Sequence, residues 1–184
     1  GDGGTVIAWA DDTMNFDGNI SAEGSIGGTG GFVEVSGKSQ LNLGDNVNLT
    51  LGQGGTVLFD PTDFTINNGA RNAIRTQINA GTDVIVTTQV AGAGTGDIRV
   101  NSNFTDGNAL NGSGTLSLLA ARHVWFERTI ANNGDGDINI VAGWDGTLNG
   151  AAVAGLSSGQ NNNQSVNMDT CLLYTSPSPR DSDQ

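Results

Sequence analysis

Apolar and polar residues alternate in short runs along most of the chain. Thr5-Val6-Ile7-Ala8, Phe32-Val33-Glu34-Val35 and Thr56-Val57-Leu58-Phe59 each follow a pair of glycines. A period near two predicts strands with one face turned to a core. The leading glycines Gly4, Gly31 and Gly55 lie 27 and 24 residues apart. Between the first two copies, Phe16–Ala22 is echoed by Leu43–Leu49 at the same offset of 27. Two segments sharing one offset point to a structural repeat. The form Gly, Asp or Thr, apolar, polar, apolar returns at Gly96–Val100, Gly114–Leu118 and Gly136–Ile140, with offsets of 18 and 22.

Strands this short cannot bury a core singly, but stacked as successive turns they can, each pairing in parallel with its neighbours about 4.8 Å away. The predicted fold is therefore all-β, a right-handed parallel β-helix of about six or seven turns and roughly 30 Å. Val6, Val33 and Val57 are expected in an interior column, and Asn19 with Asn46 in a ladder at a corner. A β-sandwich competes, because Asp17-Gly18, Asp106-Gly107, Asn111-Gly112 and Asp145-Gly146 suit hairpin turns. Those dipeptides leave the repeated offset unexplained. One segment departs from the strand texture: Ala70–Ala80 carries Ile74 and Ile78 one helical turn apart and ends at Gly81, predicting a short amphipathic helix. The chain divides into β-helix repeats over 1–66, a connector with the helix over 67–82, a second set of repeats over 83–165, and a tail over 166–184.

Composition narrows the function classes. The 184 residues include 29 glycines without a collagen-like period, which fits a fold that turns sharply and often. Seven basic against 19 acidic residues give a net charge of −12. That balance argues against nucleic acid and anionic membranes as partners, since both need clustered cations. No run approaches the ~20 apolar residues of a membrane span. The opening "GDGGTVIAW" starts in mid-pattern, as an internal piece of a longer chain would. Cys171 is the single cysteine, which leaves no internal disulfide and no cysteine-based zinc site. From Cys171 the glycines stop, and "CLLYTSPSPRDS" resembles translated sequencing-adapter or vector read-through. Residues 171–184 are accordingly set aside as artefactual, within a tail expected to be disordered.

The segments "GGTVIAWADDTMNFDGNISAEG", "GGFVEVSGKSQLNL" and "GGTVLFDPTDFTI" resemble the filamentous-haemagglutinin-like exoproteins of two-partner secretion systems in Gram-negative bacteria. Their order, with Gly30–Lys38 followed after about twenty residues by Leu58–Asp63, strengthens the likeness; "INAGTDVIVTT" and "GDIRVNS" extend it to about residue 165. The resemblance implies a structural and adhesive segment of a large secreted, cell-surface β-helical protein, acting in adhesion, haemagglutination or biofilm formation. Its implied partners are an outer-membrane β-barrel transporter during secretion, and host-cell, matrix or carbohydrate ligands. The alternative from another class is a carbohydrate-active β-helix enzyme, a polysaccharide lyase or hydrolase. A flat, threonine-ranked polymer-binding face is a further rival, for which only Thr87-Thr88 and isolated threonines speak.

Residue by residue, the candidates for chemistry read as scaffold. Asp60 and Asp63 are spaced as an acid and base could be, but Pro61 stiffens the backbone and Asp and Thr favour turns. Asp11 and Asp12 are adjacent on an extended chain and point to opposite faces. Asp135-Gly136-Asp137, after Asn132-Asn133, offers oxygen ligands to calcium without the repeated array of a calcium-binding β-roll. His123 stands without a second histidine or a nucleophile. Alternation makes one of Trp125 and Phe126 buried and one outward, while Trp9 and Trp144 lie in or after other strands. Glycosylation triplets begin at Asn19, Asn48, Asn103, Asn111 and Asn163. The expectation is a non-enzyme, with no catalytic, cofactor-binding or metal-ligating residue and no cofactor.

Overall fold

The computed structural model describes residues 1–90 and 94–144, together with the backbone of two short strands at 166–168 and 173–175. The glycine-led runs become strands. In chain order these are β1 (Thr5–Ala10), β2 (Thr13–Phe16), β3 (Asn19–Ser21), β4 (Phe32–Gly37), β5 (Gln40–Leu43), β6 (Asn48–Thr50), β7 (Thr56–Phe59) and β8 (Phe64–Ile66). One helix, α1 (Asn68–Asn79), follows. Then come β9 (Asp83–Thr87), β10 (Ile98–Val100), β11 (Leu116–Ala120), β12 (Val124–Phe126), β13 (Ile130–Asn132), β14 (Ile138–Ala142), β15 (Val166–Met168) and β16 (Leu173–Thr175).

The protein is mostly β, and its strands pair in parallel. The largest sheet has six strands in the order β1-β4-β7-β9-β11-β14. A four-stranded sheet runs β15-β12-β10-β8, and β2-β5, β3-β6 and β13-β16 form pairs. Sequence neighbours thus go to different sheets, and the chain returns to the first sheet after each excursion. No antiparallel hairpin occurs among these pairs, so Asp17-Gly18, Asp106-Gly107 and Asn111-Gly112 do not build a sandwich here.

Register lines up the core. Val6 pairs with Val33, Val33 with Val57, Val57 with Val84, Val84 with Leu116 and Leu116 with Ile138. Two residues along, Ala8, Val35, Phe59, Val86, Leu118 and Ile140 make a second column. Both columns face inward because the strand period is two. Opposite them, Phe64, Ile98 and Val124 stack, as do Ile66, Val100 and Phe126. Apart from Ala8, these residues belong to one buried cluster that includes the inner face of α1, or, at Val6, Ile138 and Ile140, pack against it half-buried. Each fully buried aliphatic or phenyl side chain contributes about 1.5–3 kcal/mol of transfer free energy.

The helix forms one residue pair earlier than its apolar spacing predicts. Asn67 caps it, its side-chain oxygen accepting from the Ala70 amide at 3.0 Å, which supplies a partner to an otherwise orphaned donor. Gly81, at φ +79°, ends it in the left-handed region that glycine enters without penalty. Ile74 and Ile78 are buried as expected. Buried Gln77 donates through Nε2 to the Leu49 carbonyl of β6 at 2.7 Å. That side chain replaces the ladder bond that a further strand beside β6 would have made.

Two expectations need correction. Asn19 pairs with Asn48 rather than Asn46, because the turn before Asn48 spans four residues, 44–47, against two, 17–18, before Asn19. Asn46 is drawn instead onto Asp17, which accepts from its amide at 2.7 Å and its Nδ2 at 3.0 Å. The Gly96–Val100 copy also leaves the predicted series. Ile98 lies between Phe64 and Val124 in the second sheet, while Leu116 pairs with Val84 and Ile138 in the first. A glycine followed by an alternating strand marks a strand start but not which sheet receives it. The 22-residue step from Leu116 to Ile138 holds. Of the expected tail, β15 pairs with β12 and β16 with β13, while Asp145-Gly146, Asn163 and Cys171 lie outside the described residues.

Candidate functional site

The outward row of the six-stranded sheet mixes apolar and polar residues, with Ile7, Glu34, Leu58 and Ile85 in register, whereas the outward positions of β2, β5 and β8 are polar. Thr13 pairs with Gln40, and Gln40 bridges to Asp63. Asn15 pairs with Asn42, and the register of that bridge puts Thr65 next. Thr65 then pairs with Arg99 and Arg99 with Trp125. Side chains in such a column stand one strand spacing apart, about 4.8 Å, within hydrogen-bonding reach. Gln40 Nε2 donates to Asn42 Oδ1 at 3.2 Å, and Asn42 Nδ2 donates to Asn15 Oδ1 at 2.8 Å. Asn15 and Asn42 thus form an asparagine ladder, as do Asn111 and Asn133, whose Nδ2 donates to Asn111 Oδ1 at 3.4 Å. Gln40 and Asn42, but not Asn15, line a groove of 430 Å³ with Asp12, Thr13, Leu41, Asp63 and Thr65.

The two carboxylates of the Asp60–Asp63 segment have separate partners. Asp63 Oδ1 accepts from the amides of Thr95 at 3.1 Å and Asp97 at 2.8 Å and from the Thr95 hydroxyl at 2.9 Å, while Oδ2 accepts from the Thr95 amide at 3.0 Å. It thus shapes the turn that leads into β10. Asp60 accepts from Gln89 Nε2 at 2.9 and 3.2 Å. Between them, Thr62 is buried and its hydroxyl donates to the Lys38 carbonyl.

Beyond the groove, Asp97 gathers a cluster that the repeat pattern concealed. It is 3% exposed, and Arg122 grips both its oxygens at 2.7 Å. The Trp125 indole N–H donates to it at 3.2 Å and the His123 amide at 3.3 Å. Arg99 lies 5.1 Å from the Trp125 ring centroid and pairs with Glu127 at 3.1 Å. His123 meets Trp125 edge-on at 5.5 Å. Phe126 is the buried member of its pair and Trp125 the outward one, as alternation requires. No sequence signal marked Asp97, since it occupies the strand-start position held by Thr115 and Asp137 in the related segments.

Burial pushes the Asp97 carboxyl up, but the hydrogen bonds and charge of Arg122, with the Trp125 and His123 N–H groups, outweigh it and hold the group below its usual 3.8. For a carboxyl lowered on folding, the stabilisation is present above the unfolded value and lost as pH falls through the folded one. Asp60 is the reverse case: burial raises it above 3.8, the Gln89 bond draws it back and the Glu34 charge adds to the rise. Its contribution is therefore present in acid and lost as pH rises. Asp97→Asn is expected to cost about 1.5–3 kcal/mol at pH 7, the range for hydrogen bonds to charged groups, and less below pH ~4, where the unfolded carboxyl protonates. Asp60→Asn is expected to leave stability unchanged or raise it at pH 7. Urea midpoints at the two pH values read both.

The remaining candidates are spread over the molecule. Asp11 and Asp12 are exposed at the end of β1. Arg71 Nη1 donates to the Asn103 carbonyl at 3.3 Å, and none of Asp11, Asp60, Asp63 and Arg71 hydrogen-bonds to another of the four among the described residues. Asp135 and Asp137 are exposed, whereas Asn132 is buried and braces the loop, donating to the Gly136 carbonyl at 2.5 Å. No group of three His, Cys, Asp or Glu side chains fit to hold a metal occurs among the described residues. Thr87 and Thr88 are buried, so they form no threonine-ranked surface. Trp144 packs with Leu119 and Val141 in a small outer cluster, while Trp9 is 52% exposed. Among the triplet asparagines, Asn19 and Asn48 are exposed on the β3–β6 pair, Asn103 accepts from the Thr129 amide at 3.2 Å, and the Asn111 side chain donates to the Ala109 carbonyl at 3.1 Å. Among the described residues no helix is long and apolar enough to cross a membrane.

No family model matches the chain, and comparison with curated proteins and with solved structures finds no match.

Proposed function

We propose that the chain is a right-handed parallel β-helix serving as a structural and adhesive segment of a large secreted surface protein, of the filamentous-haemagglutinin kind. The observation that carries this reading is the pair of apolar columns running through six parallel strands from Thr5 to Ala142. In such a stack each turn buries apolar surface against the next, so the structure can be lengthened without redesign. Continuous ladders also resist pulling and proteolysis, which suits a stalk on a bacterial cell surface. The likeness of "GGFVEVSGK" and "LFDPTD" to two-partner secretion exoproteins supplies the route: export through a partner outer-membrane β-barrel. The role is binding rather than turnover, in keeping with the engagement of Asp63 by the Thr95–Asp97 turn.

The purified chain, immobilised on beads, is expected to retain epithelial cells or matrix-coated surfaces and to leave pectin-like and glycosaminoglycan polymers uncleaved. Cleavage that Asp12→Asn or Asp63→Asn abolishes would overturn the reading. A neighbouring gene encoding a partner transporter is the expected genomic setting.

A further inference from the structure

We propose that the groove across β2, β5 and β8 is a binding site for a neutral, polyhydroxylated ligand, a glycan chain without sulfate or carboxylate groups. The proposal rests on the adhesive reading above and assigns it a place and a ligand class. The groove's 430 Å³ falls in the range of small-molecule sites, about 300–1,000 Å³. Apart from Leu41, which is 5% exposed, its lining side chains are amides, hydroxyls and carboxylates, and no Lys or Arg contributes to it. An anionic ligand would meet Asp12 and Asp63 there, on a chain of net charge −12, with no cation to compensate. A lipid or aliphatic ligand would have to strip water from these polar groups without replacing their hydrogen bonds. A polyol replaces them, since each hydroxyl both donates and accepts.

The amides are also pre-set. Gln40 donates to Asn42 and Asn42 to Asn15, a relay that polarises each member and fixes both side chains before a ligand arrives. Gln40 and Asn42 are solvent-exposed. Each spends one N–H in the relay and keeps a second, and Gln40 Oε1 accepts no bond from the described residues. An acceptor and two donors thus stand two residues apart on β5, flanked by the Thr13 and Thr65 hydroxyls of β2 and β8. Pre-organised side chains lower the ordering cost of binding. Asp63 takes part as wall rather than reagent, because both its oxygens are held by the Thr95–Asp97 turn. With no aromatic side chain among the lining residues, affinity is expected in the millimolar range, which repetition along a surface-displayed protein would multiply.

The test is NMR titration of the ¹⁵N-labelled full chain with maltotriose, cellotriose and chitotriose, and with a heparin tetrasaccharide as the anionic arm. The expected result is saturable movement of the Gln40 and Asn42 side-chain amide signals with at least one neutral sugar and none with heparin. Gln40→Ala with Asn42→Ala should weaken that binding at least tenfold. Asn42→Asp, which keeps the shape and removes the donor, should weaken it as well, and unchanged far-UV circular dichroism reports that both variants keep the fold. Absence of saturable shifts with all three neutral sugars, shifts that survive the double variant, or tighter heparin binding would each overturn the proposal. If bead adhesion persists while the groove signals stay still, the assignment of the groove falls and the adhesive reading stands; loss of both removes the two together.

Discussion

Phe59→Ala is expected to lower the unfolding free energy by about 3–5 kcal/mol, the range for removing a fully buried aromatic ring. Phe59 is 0% exposed and sits in the second interior column between Val35 and Val86. Its ring also lies 5.9 Å from that of Phe64, with planes 17° apart, so it joins the six-stranded sheet to the four-stranded one. The stack cannot collapse into the gap, because the column neighbours are held by their own ladder bonds. A loss of that size is a large share of the ~5–15 kcal/mol stability of a natural domain. The matched control is Ile7→Ala. Ile7 is on the outward face of β1 and 61% exposed, and its truncation should cost within about 0.5 kcal/mol. Urea denaturation followed by circular dichroism reads both; equal costs would mean that inward and outward positions are wrongly assigned.

Gly31→Ala is expected to reach the upper end of the ~1–3 kcal/mol typical of overpacking, or to exceed it. A Cβ there would lie 2.1 Å from the Gly4 carbonyl oxygen and 2.8 Å from that of Ala22. Both contacts are backbone, and both oxygens are already held, Gly4 by the Phe32 amide at 3.0 Å and Ala22 by that of Gly31 itself. Gly31 donates its amide to Ala22 at 2.9 Å, and its carbonyl accepts from Thr56 at 2.9 Å. The cost is steric, because the residue's φ lies outside the left-handed region. Gly54 is the contrasting case, with φ +73° and no neighbour to a Cβ nearer than 3.8 Å. There alanine should cost only the conformational penalty, about 1–2 kcal/mol. Thermal unfolding of both variants separates crowding from backbone conformation as the reason for the paired glycines before each strand.

Interior strand positions are legible because an apolar residue that recurs behind a glycine pair at similar steps can be satisfied by stacking. Val6, Val33 and Val57 were placed in one column by the 27- and 24-residue steps alone, and the pairing of Phe16 with Leu43 followed from the same 27. The helix was legible from Ile74, Ile78 and Gly81, though its start was not, since Asn67 acts through a cap rather than through periodicity. Corners escaped the reading. A two-residue difference in turn length moved Asn48 into the place expected of Asn46, and a strand start after Gly96 gave no sign of its sheet. The polar groove was legible in no single segment. Gln40, Asn42, Asp63 and Thr65 become neighbours only when the register is known, and each separately looks like an ordinary solvated position. Pro61 and its turn-favouring neighbours mark the Asp60–Asp63 segment as scaffold in the sequence, and the structure adds what it holds: Asp63 accepts from Thr95 and Asp97 in the turn before β10.

The central claim, one parallel stack with two continuous apolar columns, is tested most directly by long-range NMR contacts in deuterated protein with protonated amides and valine, leucine and isoleucine methyls. The expected contacts join Val33 to both Val6 and Val57, Val84 to both Val57 and Leu116, and Leu116 to Ile138. Contacts joining Thr5–Ala10 to Thr13–Phe16 in antiparallel order, as the hairpins of a β-sandwich would give, would contradict it.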